Sequence, residues 1–325
     1  MPDVSPALML SALSDAVRQI SDDERSTTLK ASLKELKSTV FAWRGGESCH
    51  FPGCEEDAIK ASHTVQAASL RRRFGDTCVT PVWEKSAFEI RSRSIRSMSV
   101  FPGYCSAHES KFAFESRGHF ADAHDDALQI MRAVHRELWL TLRKLEFVDN
   151  MQAAIAGTTA ALRLEEKADL GEALALERQS DGLAEFHMLL MSMWVRLGAL
   201  ATSLENIVAG ETPAMAMAVI AQDVPTQEFV FHSAVMLDDR SAALLAIALV
   251  YNGENSRLIT AIEPDFEVHN LSYWSQFLST DEDITRTLDK WLRDGTFDWY
   301  ANPAWWNGLS EHSRRELKRA VNQSP

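Results

Sequence analysis

Cys49, Cys54, Cys105 and His108 carry the clearest chemical signal in this chain. They fall as Cys49-x4-Cys54 and, after a long insertion, Cys105-x2-His108. Thiolates and an imidazole on two short turns make a tetrahedral set of soft and borderline donors, which is the set zinc prefers. Phe51-Pro52-Gly53 inside the first pair and Phe101-Pro102-Gly103 just before the second supply tight turns. The spacing therefore predicts one structural Zn2+, gripped by two knuckles with no position left for water. Two other uses of cysteine compete with it. One is a set of unconnected buried thiols, since free cysteine is often buried. The other is a disulfide, which four cysteines in 325 residues and no recognisable secretory leader disfavour. Cys78 stands outside the set and reads as a plain thiol.

Between the two pairs lies Ser62-His63-Thr64-Val65-Gln66, followed by Arg71-Arg72-Arg73. The whole chain is acidic, with a formal charge of −13. That balance excludes a protein that coats nucleic acid or an anionic membrane. The window from Ala58 to Arg117 inverts it, with ten basic residues against five acidic ones. A basic island in an acidic chain is a candidate phosphate-binding surface. Arginine suits that task because its planar fork matches phosphate oxygens, although a run of three is also an ordinary solvated face. Trp83, Phe88 and Tyr104 lie in the same window, where they could stack on unpaired bases or pack in a core.

These residues need elements to hold them. Leu8, Leu10, Leu13, Val17 and Ile20, then Leu29, Leu33, Leu36, Val40 and Phe41, recur at helical spacing up to Gly45-Gly46. The stretches 77–90 and 94–101 read as short strands or extended arms between the knuckles. From Phe120 a helix is predicted to about Ala156, broken near Thr158-Thr159. A second follows from about Ala160 to Val208, interrupted at Gly171 and at Ser180-Asp181-Gly182. Together they suggest an antiparallel hairpin, with the stripe Leu189, Met193 and Leu197 as core or dimer seam. Strands are predicted at 215–220, 228–237, 244–251 and 258–262, with Asn252-Gly253 as a hairpin turn. Helices are predicted at 285–294 and 310–322, and Trp299, Trp305 and Trp306 as a plug over a small core. No uninterrupted apolar run of membrane-spanning length is expected, and a reducing cytoplasm is the expected location.

The Cys49–Cys54 pair, the Ser62–Gln66 segment and Phe101-Pro102-Gly103-Tyr104-Cys105-Ser106-Ala107-His108-Glu109 together resemble bacterial proteins of undefined function. Their zinc regions look like treble-clef relatives of HNH endonucleases. The likeness covers roughly 70 residues. It implies that Cys49, Cys54, Cys105 and His108 are zinc ligands and that His63 is a general base acting on water. Ser62 stands where HNH enzymes keep an acidic residue, and Glu109 where they keep an asparagine. Glu109 offers oxygen to a hard divalent cation such as Mg2+. For His63 a second role stays open, as a histidine hydrogen-bonded beside the zinc site or as a replacement ligand.

The expected architecture is α+β: an N-terminal helical pair (1–46), a zinc treble-clef, HNH-like module (47–117), a long helical hairpin (118–210) and a small C-terminal β-rich domain with terminal helices (211–325). The leading expectation is a zinc-stabilised protein that binds or acts on DNA or RNA through a degenerate HNH-like module, in a setting such as defence against foreign nucleic acid. The alternative is a non-catalytic interaction or toxin-like protein with purely structural zinc. Its partner, or a second copy of the chain, would meet the hairpin or the acidic C-terminal domain. No phosphate-binding loop, dinucleotide fingerprint, nucleophile elbow or His-Glu-x-x-His helix offers a second site.

Overall fold

The computed structural model describes residues 45–84, 87–114, 120–164, 170–213, 217–236, 244–262, 286, 288, 292 and 299–323. The two expected N-terminal helices, and most of the helix expected at 285–294, lie outside the described residues. The described chain mixes helix and sheet in two compact units, one containing Leu138–Arg196 and the other Arg44–Glu137 with Leu197–Ser324.

Two long helices contribute to both units. They are labelled here α3 (Ala123–Leu164) and α4 (Leu170–Ala209). Asp122 starts α3 by accepting from the backbone N–H groups of His124 and Asp125 at 2.9 and 3.2 Å. Asp125 reaches back to the N–H of Ala121 at 2.8 Å, so side-chain hydrogen bonds run in both directions across the helix start. Gly210, at φ 76°, ends α4. The N–H groups of Gly210 and Glu211 fold back onto the carbonyls of Ile207 and Asn206, a left-handed stop that only glycine adopts without strain. Within the first unit, Leu145, Val148, Met151 and Ile155 of α3 pack on Leu183, Phe186 and Leu190 of α4. The hairpin expected from the sequence is therefore present.

Its expected breaks are not. α3 runs through Thr158 and Thr159, and α4 through Gly182. A mid-helix glycine costs only about 1 kcal/mol against alanine, less than the apolar packing that holds the two helices together. Leu197 is core as expected, whereas Leu189 and Met193 are half-buried, and Met188, Met191 and Val195 are exposed. The stretch Ser180–Ala209 is long and apolar enough to cross a membrane by length and composition, although Asp181, Glu185, Arg196 and Glu205 interrupt it, so it is not the uninterrupted apolar run whose absence was expected. A single helix of this kind is weak evidence for a membrane span, and its last turns bury Leu200, Ala201 and Leu204.

The second unit is built on a seven-stranded antiparallel sheet. Its strands are β2 (Thr77–Glu84), β3 (Ala87–Ser94), β5 (Ala218–Val224), β6 (Phe229–Met236), β7 (Leu244–Asn252), β8 (Asn255–Ile262) and β9 (Trp299–Ala301), in the order β3-β2-β9-β6-β7-β8-β5. Asn252-Gly253 makes the β7–β8 turn as expected, with Gly253 at φ 63°. The β2–β9 ladder is one pair, Val79 with Ala301; Pro81, two residues on, has no N–H to extend it. Alternation buries Val79, Phe229, Phe231, Ile247, Leu249 and Leu258 on one face with Trp306, Leu317 and Val321 of the C-terminal helices. Those helices are α5 (Pro303–Gly308) and α6 (Glu311–Gln323). Trp299 lies fully buried in this core with Trp306, and Trp305 packs on its margin, the plug role expected of the aromatic segment. Val230, Ala248, Val250, Ile259 and Ala261 are buried on the other face. Because β2 and β3 come from the region between the cysteine pairs, the sheet joins residues that the sequence pattern assigns to two separate domains.

Candidate metal centre

The first cysteine pair sits on a turn whose geometry its sequence dictates. Phe51-Pro52-Gly53-Cys54 closes through the Cys54 N–H donating to the Phe51 carbonyl at 3.1 Å, with Gly53 at φ 69°. Proline presets the second position of such a turn, and only glycine sits easily at the third. A bridge between Ser48 and Asp57, and the Cys49 N–H on the Glu56 carbonyl at 2.8 Å, hold the base of the loop.

The second pair stands where a short ladder ends. Strands β1 (Ser62–His63) and β4 (Val100–Phe101) pair antiparallel, His63 opposite Val100. The chain then turns tightly at Gly103, where a Cβ would lie 2.3 Å from the Phe101 ring. Cys105 precedes the first turn of α2 (Ser106–Glu109), which carries His108. Hydrogen bonds from His50 N–H to the Gly103 carbonyl at 2.7 Å, and from Ile59 N–H to the Tyr104 carbonyl at 2.8 Å, clamp the two knuckles together.

The four expected ligands converge. His108 Nδ1 lies 3.4 Å from Cys49 Sγ and 3.3 Å from Cys105 Sγ, and Cys54 Sγ lies 3.9 Å from Cys105 Sγ. All four donor atoms fall within 4.8 Å of one another. A zinc tetrahedron with Zn–S near 2.3 Å and Zn–N near 2.0–2.1 Å has edges of about 3.5–3.8 Å. The donor set thus fits a structural metal ion, and the four cysteines of the chain are unbridged. The Phe51 N–H points at Cys49 Sγ from 3.5 Å. Backbone hydrogen bonding from His108 draws the Cys105 thiol below its usual value, whereas burial pushes Cys49 up to about 11. Phe51 stacks on the His108 ring at 4.1 Å and fixes its plane. Cys78 is a buried bystander in β2, its thiol pushed up to about 12 by burial.

His63 lies outside this tetrad. Its Nδ1 donates to the carbonyl of Met98 at 3.0 Å, and its backbone N–H reaches Glu109 Oε1 at 3.4 Å. Gln66 Nε2 donates to the same carboxylate oxygen at 3.1 Å, while Glu109 Oε2 is buried with no hydrogen bond. The proposed base and the proposed cation ligand are therefore neighbours. Burial lowers the His63 pKa; the Met98 carbonyl and Glu109 oppose that, and the charges of Arg132 and Arg71 add to it.

Comparison with family models, with curated proteins and with solved structures finds no match. The site must be read from its own geometry.

The three arginines divide. All occupy the last turn of α1 (Ala67–Phe74), where positive charge also suits the helix C-terminus. Arg73 pairs with Glu228 at 3.5 Å and lies over the Tyr251 ring at 5.5 Å, which ties α1 to the sheet. Arg71 is exposed and close enough to act electrostatically on His63; Arg72 is exposed as well.

Sequence reasoning missed the support behind the site. Gln129 Nε2 on α3 donates to the Thr64 carbonyl at 3.0 Å, and Arg132 holds Gln129 Oε1 at 2.6 Å while lying over Phe112. Tyr104 Oη meets His135 Nδ1 at 2.8 Å, and His135 Nε2 meets Glu205 at 3.0 Å. Burial and the neighbouring His135 bring His50 down to about 4. Only Tyr104, adjacent to Cys105, carried a sequence signal.

Proposed function

We propose that this protein binds nucleic acid through a zinc-stabilised, HNH-like treble-clef module whose His63 and Glu109 are arranged for divalent-cation-assisted phosphodiester hydrolysis. One observation carries the reading: His63, its Nδ1 committed to Met98, adjoins a carboxylate with a buried unpartnered oxygen and lies in the field of Arg71. In support of this reading, the parts run as a cysteine knuckle, β1 carrying His63, then α1, β2 and β3, and finally β4, which pairs with β1, and a helix start carrying the last two ligands. Zinc holds the scaffold. Glu109 would hold a hard cation through oxygen, and that cation would stabilise negative charge on the leaving oxygen.

In this scheme His63 Nε2 takes a proton from water as the water oxygen attacks phosphorus. The ester P–O bond breaks, and the departing oxygen takes a proton from solvent. Arg71 and Arg72 would hold the phosphate in place by charge and by their forked donors.

The test measures zinc content, binding and cleavage of single- and double-stranded DNA and RNA, with Mg2+ or Mn2+, for wild type, His63→Ala and Glu109→Gln. Loss of a general base is expected to slow cleavage by about 10²–10⁴-fold with zinc retained. Wild-type protein that binds none of these polymers at low salt would overturn the reading. Binding without cleavage in any variant would leave the module as a recognition device and remove the catalytic step.

A further inference from the structure

Ser99 is buried and holds φ 51°, a left-handed conformation that no other described non-glycine residue adopts. A side chain there costs on the order of 1–2 kcal/mol, and such residues persist only where their surroundings over-determine them. Here the surroundings are four hydrogen bonds, all to the two residues after His63. Ser99 Oγ donates to the Val65 carbonyl at 3.0 Å and accepts from the Val65 N–H at 3.2 Å. The Ser99 carbonyl accepts from the Thr64 N–H at 2.7 Å and from Thr64 Oγ1 at 3.1 Å. The peptide just before this clamp is that of Met98, whose carbonyl receives His63 Nδ1–H.

We propose that Ser99 is a positioning residue for His63: its clamp on Thr64 and Val65 aims the Met98 carbonyl at the ring and fixes the Nδ1–H tautomer, leaving Nε2 as the atom free to take a proton. Both features of the residue are needed. Glycine would adopt the backbone conformation without strain but could not bridge the two backbone groups of Val65. Alanine would lose the bridge and keep the strain. The catalytic consequence rests on the reading of His63 as a base, whereas the tautomer does not.

The experiment records two-bond 1H–15N correlations of the histidine side chains at neutral pH in zinc-loaded wild type, Ser99→Ala and Ser99→Gly. His63→Ala identifies the His63 signals. Wild type is expected to show the Nδ1–H pattern, and Ser99→Ala a mixture of tautomers with zinc unchanged. Ser99→Gly is expected to fall between them, and it carries the comparison if the alanine variant does not fold. A Ser99 that merely closes the β1–β4 ladder would leave the tautomer alone. Retention of the wild-type pattern in both variants, or an Nε2–H pattern in wild type, overturns the inference. Where wild type cleaves, Ser99→Ala should lower kcat by about 10-fold with KM unchanged, a fraction of full base loss. Absent cleavage would sink the nuclease reading and leave the tautomer result standing.

Discussion

Arg257 holds Asp126 through two parallel hydrogen bonds, Nε to Oδ1 at 2.6 Å and Nη2 to Oδ2 at 2.7 Å. The pair joins β8 to the first turn of α3 and is well shielded, with the Asp126 side chain 5% and Arg257 18% exposed. Arg257 also donates to Asp223 on β5 at 3.0 Å. Since α3 in turn supports Thr64 through Gln129, the pair fixes the platform beneath the metal module. Breaking one partner of such a pair strands a buried charge, at about 3–5 kcal/mol. Arg257→Met is therefore expected to destabilise the protein by that amount in denaturant unfolding. The double change Asp126→Leu with Arg257→Met should recover much of the loss. A single change that moves stability by less than about 1 kcal/mol would show the pair to be decorative.

One metal ion is expected per chain, held by Cys49, Cys54, Cys105 and His108. Cys105 touches both Cys54 of the first knuckle and His108 of the second, so Cys105→Ser removes a donor that meets both. Metal binding and folding are one equilibrium in such small sites. Elemental analysis should give one equivalent of zinc for wild type and little for the variant, with a lower melting temperature. Metal-free protein that melts like the loaded form would remove the metal from the account.

The tetrad was legible in the sequence because ligand type, spacing and turn residues are all local. The support of His63 was not. It comes from a main-chain carbonyl at Met98 and from a left-handed Ser99, and neither leaves a compositional mark. The sheet was half legible. Its strands could be read from apolar runs, and the Asn252-Gly253 turn was evident. The pairing of Val79 with Ala301, 222 residues apart in the chain, could not be inferred from either segment. That one pair stitches the 77–94 hairpin to the C-terminal strands. The helix breaks expected at Thr158 and Gly182 fail for a related reason: local propensity is worth about 1 kcal/mol at most, and long-range packing outweighs it.

The arginines of α1 should separate under mutation. Arg73 is 40% exposed and is engaged with Glu228 and Tyr251, so Arg73→Ala is expected to leave nucleic-acid binding nearly unchanged. Its effect on stability should stay within about 1 kcal/mol, as for other exposed pairs. Arg71→Ala with Arg72→Ala should weaken binding and lower the slope of log affinity against log salt by about two, one for each phosphate no longer neutralised. A salt series read by fluorescence anisotropy decides between them. Equal losses in the two variants would mean that the run acts as diffuse charge.

The pH response of His63 follows from its burial, which lowers its pKa below 6.5. Between that lowered value and 6.5 the unfolded chain holds more protons on this residue than the folded one, so stability rises with pH in that window. The contribution of His63 is complete above pH 6.5 and is lost as the pH falls through its folded pKa. Under the proposed base role, the same shift bears on catalysis. At pH 6 an unperturbed imidazole is about three-quarters protonated, and His63, its pKa lowered by burial, is less protonated than that. The acid limb of kcat/KM, which reports the free enzyme, should therefore lie below 6.5. The His63 side-chain resonances should titrate at that same lowered pH. Glu228→Gln, which alters charge on the far side of Arg73, should leave both unmoved. An acid limb at or above 6.5, or a limb that does not follow the His63 resonances, would take the base role away from this residue.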